Sequence, residues 1–541
     1  MNMQTASRGR PPGRDRGRTV LLSIALGLGA TAFVICLLGV GLPARAAPAV
    51  EHQVCPSGCS YSSIQAAVDA ADGGDVIKVA QGIYTDVHQR NSLTQVVYID
   101  VPLTIRGGYT TSNGFADPPD PAAYPALLDA QRQGRVIYVA EHVTVTLEGL
   151  QLTGGDGSDL GGGTGTYDDA GGGFYAGRGA NITISDCVIA SNRSPMAGGG
   201  YVSREGTLTL QDSLITANVA ISGSAGGVNL YYPSAATISR NTIASNTAGF
   251  NAGAIYVAGG LSDTVISRNT IVSNTAAHDA GGVFMASGAT LRDNVLAHNR
   301  AEFSGGALYI NGRSPMVASN KVFDNRAVNW GGGIYVSTQA ILNANRIISN
   351  AAGLGGGGLF LYNSMDRFEN NVVARNRIGD GRNGAGIYVW SGAPRLLHTT
   401  VAENVGGDGS GIYVGQFTLS PGSPSLTNTI LVSETVGVRA ADNNTVTLEA
   451  TLWGSGAWAN GTDAIGPVIS STNVTGDPAF VNPDGGDYHI QPSSDAIDTG
   501  IDAGVSVDLD GESRPAGAGY DLGADELWRH VYLPLTLRDM P

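Results

Sequence analysis

Six side chains in the loops that precede a recurring aromatic strand are of the kinds that move protons: His278, Asp279, Glu302, Asp380, Arg382 and Asp408. Asp279 and Glu302 fall on adjacent repeat units. That placement would bring their carboxylates to ~5 Å, the separation of a nucleophile and its acid partner in retaining glycoside cleavage. Asp279, Glu302, Asp380 and Arg382 are therefore the catalytic candidates. Against a matched pair, Asp279 and Glu302 lie at different offsets from Phe284 and Tyr309. Solvated loop charges are the plainer account, because charged side chains are seldom buried without a partner.

Two places have the composition of a Ca²⁺ site. Gly154-Gly155-Asp156-Gly157-Ser158-Asp159 matches the Gly-Gly-x-Gly-x-Asp calcium pattern once, and with Asp168 and Asp169 it puts four aspartates in fourteen residues. Ca²⁺ takes six to eight oxygens, so these carboxylates plus backbone carbonyls would suffice. The known architecture uses tandem copies, however. Asp508 and Asp510, in Asp-Leu-Asp-Gly, form the second place, which reads equally well as a turn capping the end of the fold. No other cofactor is required by any motif.

Charge narrows the partners. The chain has 31 basic and 46 acidic side chains, a net of −15, and its lysines are Lys78 and Lys321. A nucleic acid would be repelled by this field, and an acidic polysaccharide would need a bridging cation. Arg8, Arg10, Arg14, Arg16 and Arg18 precede an uncharged, mostly apolar run from Val20 to Leu42, and Ala44-Arg45-Ala46 follows. This is the layout of a signal peptide over residues 1–46. The 23-residue run also suffices for an uncleaved membrane anchor. Either way, the remainder is expected outside the cytoplasm. Cleavage would remove six arginines and Asp15, leaving 25 − 45 = −20. Cys55 and Cys59 suit a small disulfide in an oxidising compartment. The alternative, a metal pair, lacks a second cysteine pair or a histidine cluster. Cys187 is left over.

The elements that must position these groups form a repeat. Asn192, Asn218, Asn246, Asn274, Asn299, Asn325, Asn350, Asn376 and Asn404 recur at spacings of 25–28 residues. An aliphatic stands three residues before each one, and a further apolar residue stands eight before. Five residues before them runs a second column: Cys187, Ser213, Asn241, Asn269, Asn294, Asn320, Asn345, Asn371 and Thr399. Such a period means a solenoid whose single units cannot bury a core. Alternating β-branched residues broken by glycine and polar turns read as three short strands per unit, not helices. The expected fold is all-β, a single parallel β-helix of ~26 residues per coil with coils ~4.8 Å apart. Asparagines in register would form a hydrogen-bonded ladder.

A third column is aromatic: Tyr201, Tyr256, Phe284, Tyr309, Tyr335, Phe360, Tyr388 and Tyr413, mostly flanked by aliphatics as in Ile334-Tyr335-Val336. Strand alternation points the flanking aliphatics inward and the rings outward. The glycine runs upstream predict a smooth, accessible aromatic stripe. The residues from Tyr256 to Tyr413 in this column are the candidate ligand-binding set, since aromatic faces take the apolar faces of sugars. The rings could equally stack on one another and stabilise the sheet.

Ser62-Ser-Ile-Gln-Ala-Ala-Val-Asp-Ala-Ala71, Leu103-Thr-Ile-Arg-Gly-Gly-Tyr109 and Arg135-Val-Ile-Tyr-Val139 resemble the capping helix and early coils of the pectate-lyase-like, right-handed parallel β-helix superfamily. Asp477-Pro-Ala-Phe480, Asp487-Tyr-His-Ile490, Asp508-Leu-Asp-Gly511 and Asp521-Leu-Gly-Ala-Asp-Glu526 resemble the choice-of-anchor Q region of secreted bacterial β-helix proteins. The resemblance implies right-handed coiling and an N-terminal capping helix. Taken with the export segment or membrane anchor (1–46) and the asparagine repeat, it divides the chain further into a cap and first coils (51–180), regular coils (181–415), last coils with the anchor-like region (416–526) and a tail (527–541). It leaves activity open, because one fold hosts many functions. Lyases of the superfamily use Ca²⁺ and an Arg or Lys base. Its polygalacturonase-like hydrolases use Asn-Thr-Asp, Gly-His-Gly and Arg-Ile-Lys motifs, which this chain lacks. The expected function is a secreted or surface monomer that binds extracellular polysaccharide or cell-envelope glycan, or that serves adhesion. A polysaccharide lyase or glycoside hydrolase is the alternative.

Overall fold

The bends that close each coil are made by one device. In the computed structural model, which describes residues 49–160, 169–259, 263–415 and 421–528, the residue before each ladder asparagine has left-handed backbone. Ser245 (φ 55°), Ser273 (57°) and His298 (54°) precede Asn246, Asn274 and Asn299, and Arg240 (58°) and Arg268 (57°) precede Asn241 and Asn269. For a residue with a Cβ this conformation costs about 1–3 kcal/mol, and the asparagine offsets it. Asn246 Nδ2 donates to Ile215 O at 2.9 Å and to Asn274 Oδ1 at 3.0 Å, while Asn246 N donates to the same Oδ1 at 3.0 Å. Asn274 repeats the pattern with Ile243 O and Asn299 Oδ1. These amides are buried, so each rung supports both a bend and the next coil.

Between bends the strands stack in parallel, residue on residue: Ile238↔Ile266, Ile243↔Ile271 and Tyr256↔Phe284. The fold is a single all-β parallel solenoid of about 16 turns. One sheet receives two strand segments per coil, such as Ala235–Ser239 and Thr242–Ala244. A second carries the aromatic strands, such as Ile255–Ala258. A third is built from two-residue strands such as Thr247–Ala248. Ile238, Ile243, Ile255 and Val257 point inward and are wholly buried. Stacking multiplies this quartet into one continuous core.

The first coil is closed by the helix Ile64–Ala70, whose N-cap Ser63 accepts from Ala66 N. Ile64, Ala67 and Val68 cover the open core, and Gln65 exchanges hydrogen bonds with the backbone of Tyr98 at 3.1 and 2.7 Å. Cys55 and Cys59 form a disulfide across 5.6 Å between Cα atoms, and Cys187 is buried and free.

Regular stacking ends at Val474–Gly476. The following segment does not cap the solenoid's end as a last turn. It doubles back along the flank, led by the hairpin Phe480–Asn482 and Asp487–Ile490. Phe480, Tyr488, Ile490, Leu509 and Leu522 pack on Ala374, Ala402, Ile430 and Leu452, outward side chains of successive coils. Hydrogen bonds follow the same path, with Tyr488 Oη donating to Glu403 Oε2, Arg367 Nη2 to Gly504 O and Asn370 Nδ2 to Val507 O.

Candidate functional site

The outward column of the second sheet is longer than the repeat alone indicates. Pairing runs Tyr98↔Tyr138↔Tyr175↔Tyr201, and later Tyr256↔Phe284↔Tyr309↔Tyr335↔Phe360↔Tyr388↔Tyr413. Ring centroids lie 5.0, 4.8, 4.6 and 5.0 Å apart from Tyr256 through Phe360, near parallel, and Tyr388 meets its two neighbours edge-on. The rings are half-buried or buried, with Phe284, Phe360 and Tyr388 below one-tenth exposed. The expected open stripe is thus corrected. Phe284, Tyr309 and Tyr335 hide their faces against the rings above and below, and the glycine bends approach the rings closely. A Cβ at Gly355 would come within 2.3 Å of Tyr388 Cδ1.

The column is broken once. Between Tyr201 and Tyr256 the register position belongs to Asn229. Tyr231, two residues along on the same strand face, swings over to Tyr201 with centroids 6.3 Å apart. The missing ring leaves a surface slot of about 380 Å³, lined by Asn229, Tyr231, Tyr256, Phe250, Met196 and Asn251 among others. Asn229 is 1% exposed, and its Oδ1 has no hydrogen-bond partner among the described residues. A buried acceptor left so costs about 1–3 kcal/mol.

Beside the slot a second set of rings is exposed. Phe250, His278 and Phe303 each stand four residues after a ladder asparagine, and His278 N and Phe303 N donate to the carbonyl of the ring residue one coil earlier. Phe250 stacks on His278 at 5.0 Å, and His278 on Phe303 at 4.7 Å and 8°. Trp330 meets Phe303 edge-on at 5.9 Å. Phe250 is 47% exposed and Phe303 38%. This is a rail of aromatic surface along the coil axis, at the lip of the slot.

The charged candidates go elsewhere. Asp279 is buried in a polar row: its N donates to Asn251 Oδ1, its Oδ1 accepts from Ser304 N, and its Oδ2 lies 2.9 Å from His278 Nδ1 without hydrogen-bond alignment. Burial raises its pKa, against the pull of His278 and the Ser304 amide. Glu302 is exposed and chelated by Arg300. The two carboxylates are committed to different partners, so the acid–base pair is not assembled. Asp380 and Arg382 lie on an exposed turn. Asp408 Oδ1 accepts from Gly384 N and Ser410 N, and so braces that loop.

Neither expected calcium set converges among the described residues. Asp156 Oδ2 accepts from Arg193 at 2.6 Å, and Asp169 Oδ2 accepts from Asp159 N at 3.0 Å. Asp168 lies outside the described residues. Asp508 spends Oδ1 on the amides of Asp510 and Glu512, closing its own turn, while Asp510 faces away to His489 and Arg346. The grouping that does converge is His489, Asp510 and Asp525, with ligand atoms within 4.8 Å of one another. It borders a cleft of about 640 Å³ between the folded-back block and the solenoid, also lined by Lys321, Arg346 and Arg375. An imidazole with two carboxylates suits a transition metal better than Ca²⁺. A proton already serves there, however. His489 is held between Asp487 and Asp510, which raises it to about 9, and Asp510 falls to about 2 beside it. Burial lifts Asp525 to about 6.

Two overlapping stretches, residues 133–290 and 226–406, match the family described as right handed beta helix region, and together they span just over half of the chain. The chain belongs to that family. No curated protein sequence matches it. Similar solved structures include pectate lyase Pel9A, at 13% identity over 89% of this chain and 97% of that one, TM-score 0.29. XylC in complex with xylose matches at 10% over 89% and 99%, TM-score 0.37. The tailspike protein of E. coli bacteriophage HK620 with a pentasaccharide matches at 11% over 79% and 80%, TM-score 0.36. At these TM-scores the likenesses bear on neither the fold nor the activity of this chain.

Within this β-helix, sequence reasoning missed the break and the rail. Asn229 was hidden because a repeat is read from what recurs, and a gap in one column is what does not. The rail had a signal, the constant four-residue offset of Phe250, His278 and Phe303 from Asn246, Asn274 and Asn299.

Proposed function

We propose that this β-helix is a secreted or surface-held module that binds a neutral extracellular glycan along the rail of Phe250, His278, Phe303 and Trp330. The observation that carries the reading is the exposure of this stacked row. Stacked on one another, the rings of Phe250, His278 and Phe303 turn their edges to solvent, and these edges form a strip of apolar surface over consecutive coils along which a chain of sugar rings can lie. The net charge of −15 favours a neutral polymer over a uronate. Export is supported by the layout of residues 1–46 and by the Cys55–Cys59 disulfide, and attachment by the resemblance of the C-terminal block to choice-of-anchor Q regions.

The test is to incubate the purified protein with neutral and uronate polysaccharides, with and without Ca²⁺, following both retained polymer and ultraviolet absorbance. Retention on a neutral polymer without new absorbance is expected. A calcium-dependent absorbance rise would make the protein a lyase instead. No retention on any polymer would sink the glycan reading and leave a structural or adhesive role.

A further inference from the structure

We infer, resting on the glycan reading above, that the break in the aromatic column at Asn229 is a subsite for one neutral pyranose ring. A slot with aromatic walls and the side-chain amides of Asn229 and Asn251 is the complement of a sugar ring, which has an apolar face and a hydroxyl-bearing edge. Tyr256 and Phe250 line the walls, and Asn229 supplies an acceptor that none of the described residues satisfies. The amide can take a hydroxyl proton and can donate to a hydroxyl oxygen as well, so either edge of the ring finds a match.

Charge and size narrow the ligand further. Among the residues lining the slot there is no Asp, Glu, Lys, Arg or His, so a uronate would enter without a counter-charge. A volume of about 380 Å³ is near the low end of the ~300–1,000 Å³ of ligand pockets. It holds a terminal or branch residue of a polymer, not a run of its backbone. Phe250 belongs to both slot and rail, so a glycan lying over Phe250 and His278 passes the slot's mouth, and its end or branch can turn inward there. The slot thereby selects a chain feature, and the rail holds the chain.

The experiment uses saturation-transfer NMR on the full-length protein with the methyl glycosides of glucose, galactose, mannose and xylose, and with methyl glucuronide. At least one neutral glycoside is expected to bind, and the glucuronide to bind at least ~10-fold more weakly. Asn229→Tyr fills the gap with the ring that its neighbours carry. It should abolish glycoside binding without lowering the melting temperature, an outcome that a merely structural asparagine would not give. Asn229→Ala, which removes only the amide, should weaken binding by ~10-fold. Glycoside binding that survives both substitutions overturns the inference, as does preference for the glucuronide. If wild-type protein is retained on a neutral polysaccharide yet binds no glycoside, the slot fails and the glycan reading stands. If it binds neither, both fail.

Discussion

Glu434 stands where the ladder calls for an asparagine. Asn404 N and Nδ2 donate to its Oε1 at 3.1 and 2.8 Å, and its own N donates to Asn460 Oδ1 at 2.9 Å. Its Oε2 has no hydrogen-bond partner among the described residues, and burial pushes its pKa well above the usual carboxylate range. The folded chain therefore keeps a proton that the unfolded chain releases near pH ~4.3. The stabilisation from this group is full below that pH and is lost as pH rises through the folded pKa. Glu434→Gln should raise stability by about 1–3 kcal/mol at pH 8 and by little at pH 4, read from urea melts at both. An equal effect at both would exclude a buried neutral acid. Asn274→Leu, in mid-ladder, takes the acceptor from Asn246 N, one of two acceptors from Asn246 Nδ2, and the side-chain donor from the carbonyl of Ile243. It should cost about 3 kcal/mol or more, and an unchanged melt would remove the ladder from the account of stability.

At the scale of the element, one aromatic column holds the sheet and the other faces solvent. Phe284 is 6% exposed and stacked at 5.0 and 4.8 Å on both sides. Phe284→Ala opens a cavity and should cost about 3–5 kcal/mol. Replacing Phe250 and Phe303 together by Ala removes exposed rings and should change stability by under ~1 kcal/mol, while reducing retention on the bound polysaccharide by ~10-fold. Calorimetry and affinity electrophoresis on both variants decide it, and equal loss of stability would mean that the rail is structural. The distinction was beyond the reach of strand alternation. Tyr335 between Ile334 and Val336 must point outward, but whether a ring that points outward is covered depends on its neighbours in adjacent coils and on the bends beside them. Glycine in those bends reads from sequence as absence of obstruction. In the fold it permits closer packing, as Gly355 does against Tyr388.

Across the whole molecule, the solenoid carries its own C-terminal block as a flank brace. His489 sits at the contact, its two nitrogens held by Asp487 and Asp510, with Arg346 on the other oxygen of Asp510. Its pKa is raised from the ordinary ~6.5 to about 9. The stabilisation it supplies is therefore full below pH ~6.5 and lost as pH rises through 9. Because the site is partly open to solvent, about 1–2 kcal/mol is expected. Hydrogen exchange over residues 477–527 should accelerate between pH 6.5 and 9.5, after correction for the intrinsic rate, and His489→Gln should remove that dependence. A pH-independent block would rule out the imidazolium as its fastener.

Repeat, register and strand type were legible in the sequence because they rest on short-range rules: a side-chain period of two, a bend every coil, and identical residues brought together by stacking. Asn246, Asn274 and Asn299 announce one another at a fixed spacing, and Ser63 announces the capping helix. The path of residues 477–527 was not legible. Its partners lie up to 164 residues away, as Arg346 does from Asp510, and no period links them. The same holds for the pairing of Asp279 with Ser304 in place of Glu302, and for the slot at Asn229. Each depends on which side chains the closed coil brings to one surface, and on what then covers them. Burial and long-range contact belong to the assembled chain, and only the tertiary structure assigns them.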